Sequence, residues 1–218
     1  MNSPVLHKIF NTSFWLSSER CAYWETEKTL IISDLHFGKT GHFRKAGIPV
    51  PQHVYKEDLQ RLVSQVQYFQ PRQLIIVGDF FHSNGNMELE LFKKWRNDLA
   101  LLEIQLVKGN HDILHDSWYE GSGIITYKEQ LKIGNFIFTH DIGNSRFERG
   151  NYYFSGHIHP GISIKGTGRQ SLRFPCFYFT EDYCILPAFS RFTGTYGITP
   201  KKSENIFAIV ENNIVQLQ

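Results

Sequence analysis

Five short stretches of this chain carry side chains that bind divalent cations. They are Asp34-Leu35-His36, Gly78-Asp79, Gly109-Asn110-His111-Asp112, Thr139-His140 and Gly156-His157-Ile158-His159. A donor set of carboxylate, amide and imidazole without thiolate favours manganese, iron or zinc over copper(I) or an iron–sulfur centre. Asp79 has two carboxylate oxygens and can bridge two ions. A pair of cations about 3.5–4 Å apart is the clamp used for phosphoryl displacement. Each stretch alone is weak, because D-x-H triplets arise by chance, G-N-H-D also reads as a capped turn, and G-H-x-H as a frayed strand end. In this order, each after an apolar run, chance is a poor account of all five.

Those apolar runs are the elements that must position the chemistry. Residues 13–16, 21–24 and 29–32 read as short strands, and the last leads into Asp34. Leu59, Leu62, Val63, Val66 and Phe69 then recur at helical spacing up to Pro71. Residues 74–77 form an apolar run typical of a strand buried on both faces. A second helix is expected from 87 to about 100 with Leu91, Phe92, Trp95 and Leu99 inward, followed by a strand at 104–107. This β-α-β-α-β pattern implies a parallel sheet, whose strand ends open onto one crevice. At i and i+2 of an extended segment the side chains share a side. Asp34 and His36 can therefore aim at one ion, and His157 and His159 repeat the arrangement. After about residue 123 the pattern is nearly all strand: 130–133 and 136–139 flank a Gly134-Asn135 turn, and further strands fall at 152–155, 161–165, 172–180, 183–186 and 206–210. One α/β domain over residues 1–218, built as a two-sheet sandwich, fits best.

Composition narrows the class. The 218 residues are 41% hydrophobic and 20% charged, which excludes a disordered chain, and no apolar run is long enough to span a bilayer. A membrane partner is therefore not expected. The first ten residues lack a basic and an apolar signal region. Cys21, Cys176 and Cys184 form no metal-type pair, so reduced thiols in a cytoplasmic protein are expected. A net charge of +2 is compatible with a phosphate-bearing partner without demonstrating one.

The five motifs together resemble those of the calcineurin-like metallophosphoesterases, whose signature is D-x-H, G-D, G-N-H-[DE], H and G-H-x-H, and the resemblance spans nearly the whole chain. It implies an αββα metallophosphoesterase sandwich and two divalent ions. The first ion would take Asp34, His36, Asp79 and His159, and the second Asp79, Asn110, His140 and His157. By the same resemblance His111 is not a ligand but donates a proton or hydrogen bond to the phosphoryl or leaving oxygen, with Asp112 orienting its ring. The implied reaction is in-line attack on phosphorus by a metal-bridging hydroxide. One departure stands out: many relatives carry a second acid where this chain has His82, which becomes a candidate substrate contact.

Residues 43–51, 171–177 and 186–194 look like one branch of that family, the bacterial ligase-associated DNA-damage-response endonucleases. The branch implies a Mn²⁺-dependent phosphodiesterase acting on single-stranded or flap DNA in repair, with Fe or Zn as other possible metals. It also implies functional association with a DNA ligase, a helicase and an exonuclease. Lys39 and Arg44, just after the first motif, are the favoured substrate contacts, and Arg146 and Arg149 lie between two later motifs. Tyr152, Tyr153 and Phe154 offer either a stacking surface or core. The alternative readings are a phosphoesterase for a small nucleotide or a phosphomonoester, and a non-catalytic module. The near-balanced charge leans toward the small substrate, while the complete ligand set argues against the module.

Overall fold

A computed structural model describes residues 3–39, 54–81, 87–143, 146–166, 168 and 170–217. Four strands, β1 (Val5–Ile9), β2 (Thr12–Ser17), β3 (Cys21–Trp24) and β4 (Thr29–Ile32), follow one another antiparallel. The chain then crosses over through α1 (Val54–Phe69) to β5 (Gln73–Val77), through α2 (Met87–Asp98) to β6 (Glu103–Val107), and through α3 (Asp116–Gly121) to β7 (Ile124–Tyr127). β4 to β7 are parallel, which completes a seven-stranded sheet in strict chain order. The apolar runs of β4, β5 and β6 are needed because this part of the sheet is covered on both sides.

The second sheet has nine strands. The hairpin β8 (Gln130–Ile133) and β9 (Phe136–Thr139) pairs Ile133 with Phe136 across Gly134-Asn135. β10 (Tyr152–Ser155) runs parallel to both β9 and β13 (Tyr183–Ile185). β11 (Pro160–Lys165), β12 (Ser171–Phe179), β14 (Tyr196–Gly197), β15 (Asn205–Val210) and β16 (Asn213–Gln216) complete it.

Between the sheets lies an aromatic core. Phe14 and Trp24 of the first sheet meet Phe136, Phe138 and Phe154 of the second, with the Phe14 ring 5.1 Å from that of Phe154 and 5.2 Å from that of Phe136. Each such side chain buried contributes about 1.5–3 kcal/mol. The other face of the first sheet packs Leu30, Ile32, Leu74, Ile76, Ile104 and Leu106 against the helices, through Leu62 and Val66 of α1 and Leu89, Phe92 and Trp95 of α2.

The two packed sheets and the helical layer are those expected, with four differences of detail. Among the described residues all helices lie on the first sheet. The outer face of the second carries instead a small cluster of Ile137, Tyr153 and Ile185 with Tyr178 and Tyr183. The all-strand pattern after residue 123 holds, but its first strand, β7, still belongs to the first sheet. Leu89 occupies the inward position of α2, while Leu91 is half-buried. Finally, β1, α3, β14 and β16 are too short or too weakly patterned to stand out in the sequence. All three cysteines are buried and free.

Candidate metal centre

β4, β5 and β6 lie side by side and point the same way, so the segments that follow them emerge on one edge. β9 and β10 are likewise parallel neighbours in the facing sheet. Asp34, Asp79 and Asn110 come off the first set, and His140 and His157 off the second. The first two loops hold each other through a short backbone ladder. In it the Asp34 N–H donates to the Gly78 carbonyl (3.1 Å), His36 N–H to Asp79 (2.8 Å) and Phe37 N–H to Phe80 (2.8 Å).

The local geometry differs from the extended segments assumed from the sequence. Asp34, His36, Asp79, His157 and His159 all have left-handed backbones, with φ of 52°, 50°, 51°, 64° and 52°. A non-glycine residue there costs about 1–2 kcal/mol, and such strain collects where surrounding structure over-determines a functional position. Leu35 still turns back into the helix-side core as expected. His157 and His159 do not share one site, however. His159 joins Asp34 and His36, whereas His157 joins Asp79 and His140, and within each group the donor atoms lie within 4.8 Å of one another.

Two motif glycines are explained by close approach. A Cβ on Gly156 would sit 2.5 Å from Oδ2 of Asp34, 2.8 Å from Cβ of Ser33 and 2.9 Å from the Val77 carbonyl. A Cβ on Gly109 would strike the Asp79 carboxylate and lie 2.5 Å from the Asp79 nitrogen. Each glycine therefore makes room for a candidate ligand from a different motif.

Asp79 stands between the two groups. Its Oδ1 lies 3.5 Å from Nε2 of His140 and accepts the His111 backbone N–H at 3.0 Å, while its Oδ2 lies 3.9 Å from Nε2 of His36 and 4.0 Å from Nε2 of His111. On one side Nε2 of His159 is 3.2 Å from Oδ1 of Asp34. That nitrogen is buried and makes no hydrogen bond among the described residues. On the other, Nε2 of His140 is 3.2 Å from both Oδ1 of Asn110 and Nδ1 of His157. Electron-rich atoms converging this closely repel one another unless a proton or cation lies between them. The oxygen and imidazole set suits a divalent first-row metal, so the residues present fit the ions that the motifs imply.

The remaining expected residues divide. His111 is 41% exposed at its side chain and its ring packs at 5.5 Å from that of His36, so it stands at the mouth of the centre. Asp112 accepts the N–H groups of Phe80 and Phe81 on Oδ1 (both 3.0 Å) and that of Gly109 on Oδ2 (2.9 Å), so it pins two motif loops together. Burial pushes its carboxyl up to about 6, against the lowering pull of the Gly109 and Phe81 N–H groups. Lys39 is half-buried beside the centre. Burial lowers its ammonium from the usual range while the charges of Asp79 and Asp34 raise it. Arg44 and His82 lie outside the described residues. Tyr152, Tyr153 and Phe154 are buried, which settles them as core and not as a stacking surface.

One supporting device has no local sequence signature. Arg61 donates to Oδ1 of Asp58 (2.8 Å) and to the Phe189 carbonyl, and its guanidinium lies 4.3 Å over the Phe189 ring. Arg20 donates to the carbonyls of Ala188 (3.1 Å) and Ser190 (2.8 Å). The segment so held reaches back to the first motif, with Phe189 N–H on the Ser33 carbonyl (2.8 Å) and Ser190 N–H on that of Asp34 (3.2 Å). The partners are far apart in sequence, and only the resemblance of residues 186–194 to one family branch singled the segment out. Arg61→Ala strips Asp58 of its buried guanidinium and is expected to lower stability by about 3 kcal/mol, read by chemical denaturation of the metal-free protein.

The comparisons with known proteins agree with this geometry. The family model for calcineurin-like phosphoesterases matches residues 27–197. Among solved structures the chain is similar to the Pseudomonas putida nuclease MPE, with a TM-score of 0.83 and 26% identity over 98% of this chain and 100% of that one. It is more distantly similar to Yfce, a phosphoesterase from E. coli, with a TM-score of 0.47 and 12% identity over 87% of this chain and 97% of that one. No curated protein matches. Since the matched stretch holds every candidate ligand, this chain belongs to the calcineurin-like phosphoesterases, metal-dependent hydrolases of phosphate esters.

Proposed function

We propose that this protein is a dinuclear, Mn²⁺-dependent phosphodiesterase that cuts single-stranded or flap DNA, in a repair setting in the cytoplasm, and that residues 1–218 form one domain. The observation that carries the reading is the placement of Asp79, one oxygen toward His140 and the other toward His36. Asp34, His36 and His159 would hold one ion, Asn110, His140 and His157 the other, and Asp79 both. Bound there, the cations supply positive charge to the phosphoryl oxygens and a nucleophile from water at neutral pH. His111, exposed beside the pair, donates a proton or hydrogen bond to the leaving oxygen. Asp112 fixes the loop that carries it, and Lys39 meets the substrate phosphate. Similarity to a nuclease over both full chains favours a nucleic-acid diester over a monoester.

The test is a panel of Mn²⁺, Zn²⁺, Fe²⁺ and Mg²⁺ on chelator-stripped protein. Substrates are bis-p-nitrophenyl phosphate, p-nitrophenyl phosphate, and single-stranded, duplex and flap DNA. Mn²⁺ is expected to restore cleavage of the diester and of single-stranded or flap DNA. Hydrolysis of monoesters alone, with every DNA intact, overturns the nuclease reading and leaves the small-substrate phosphoesterase.

A further inference from the structure

A cleft of about 610 Å³ opens beside the second group of ligands. Asn110, His140 and His157 form part of its wall, and Lys108, Lys128 and Arg146 bring cations to it. A space this size lies within the ~300–1,000 Å³ of small-ligand sites and exceeds what one esterified phosphate needs. Resting on the nuclease reading, we propose that this cleft receives the nucleotides next to the scissile phosphate and that Lys128 and Arg146 grip their phosphates.

Both residues are held in place by the fold. Lys128 belongs to the two-residue link between β7 and β8, where the chain passes from the first sheet to the second. Arg146 is anchored through its own carbonyl, which accepts the Tyr153 hydroxyl at 3.0 Å, and the same hydroxyl accepts the Glu148 N–H at 3.2 Å. The buried Tyr153 ring thus fixes the backbone of Arg146 while its side chain stays exposed.

The other charges of the cleft are differently engaged. Lys108 is 3.0 Å from Asp116 and lies 4.9 Å over the Tyr119 ring. Asp116 is held low first by Lys108, with Lys128 a lesser influence. Glu148 pairs with Lys132 at 3.8 Å and accepts from Asn151 at 2.8 Å. Asp141 turns Oδ1 onto the Gly143 N–H at 2.8 Å. The side chains of Lys128 and Arg146 make no ion pair or hydrogen bond among the described residues. With Glu129 and Asp141 also on the wall, the cleft has no broad positive field. Its grip on a polyanion must come from these two side chains, which agrees with a whole-chain charge of only +2.

Lys128→Ala, Arg146→Ala and the double variant, in full-length protein, test this against labelled single-stranded DNA. Each single variant is expected to lower kcat/KM on DNA relative to bis-p-nitrophenyl phosphate by about five- to tenfold, mainly through KM. Fluorescence anisotropy of the metal-free protein should show weaker binding of the same oligonucleotide, with a salt slope shallower by about 0.7 per residue removed. Glu129→Gln, which removes a repelling charge, should tighten binding. A wild type that cleaves DNA while the variants keep both the substrate ratio and the salt slope overturns the cleft assignment alone. A wild type that hydrolyses the diester but no DNA overturns the nuclease reading and this assignment with it.

Discussion

Asp79→Ala is expected to empty both metal positions at once. The residue is 2% exposed and turns Oδ1 toward His140 and Oδ2 toward His36, so in the proposed assignment neither group keeps its full set without it. Charge stabilisation by bound cations is worth several kcal/mol, and at about 1.4 kcal/mol per decade its loss lowers turnover by about 10³-fold or more. Metal content by mass spectrometry should fall toward zero, and added Mn²⁺ should no longer raise the unfolding temperature, since the wild type is stabilised by mass action only where it binds the ion. A variant that retains one tightly held ion and substantial activity on DNA would show that the aspartate is not shared.

His111→Ala is expected to separate the proposed acid catalysis from metal binding. What holds Asp79 is the backbone N–H of residue 111, at 3.0 Å from Oδ1, and alanine keeps that N–H. Metal content should therefore remain at the wild-type level. Turnover on DNA should fall by about 10²–10⁴-fold, the usual contribution of a positioned general acid, because an alkoxide leaving group needs a proton. The loss on bis-p-nitrophenyl phosphate should be far smaller, since p-nitrophenolate leaves unprotonated. Full rate on DNA would falsify the assigned role.

Much of the candidate site was legible because its residue types are unusual at their positions. Asp, Asn and His directly after apolar strands have no core-packing reason to be there, and the glycines beside them mark backbone approached by another chain segment. The parallel β4-β5-β6 set was readable from helical periodicity between apolar runs, and it places three of the motifs on one edge. The i, i+2 argument named one pair that does converge, Asp34 and His36, and one that divides between the two groups, His157 and His159, and it assumed a mistaken backbone for both. Asp and His tolerate left-handed φ better than most non-glycine residues, but that preference is too weak to place it at a given position, because loops from distant parts of the chain impose it. The loop-pinning contacts of Asp112 are hidden from the sequence for a related reason, since two of its hydrogen-bond partners are N–H groups about thirty residues away.

From the sequence alone came the class of donors, the order of the motifs and the alternation of helix and strand, since each depends on residue type and on spacing within a few positions. The tertiary structure decided the left-handed backbone that presents the G-H-x-H pair and that Arg20 and Arg61 brace the segment behind Asp34. It also decided that Lys128 and Arg146 share a cleft with His157. These rest on contacts between sheets and loops far apart in the chain. They arise when the aromatic interior packs one sheet on the other, so no local pattern of residues encodes them.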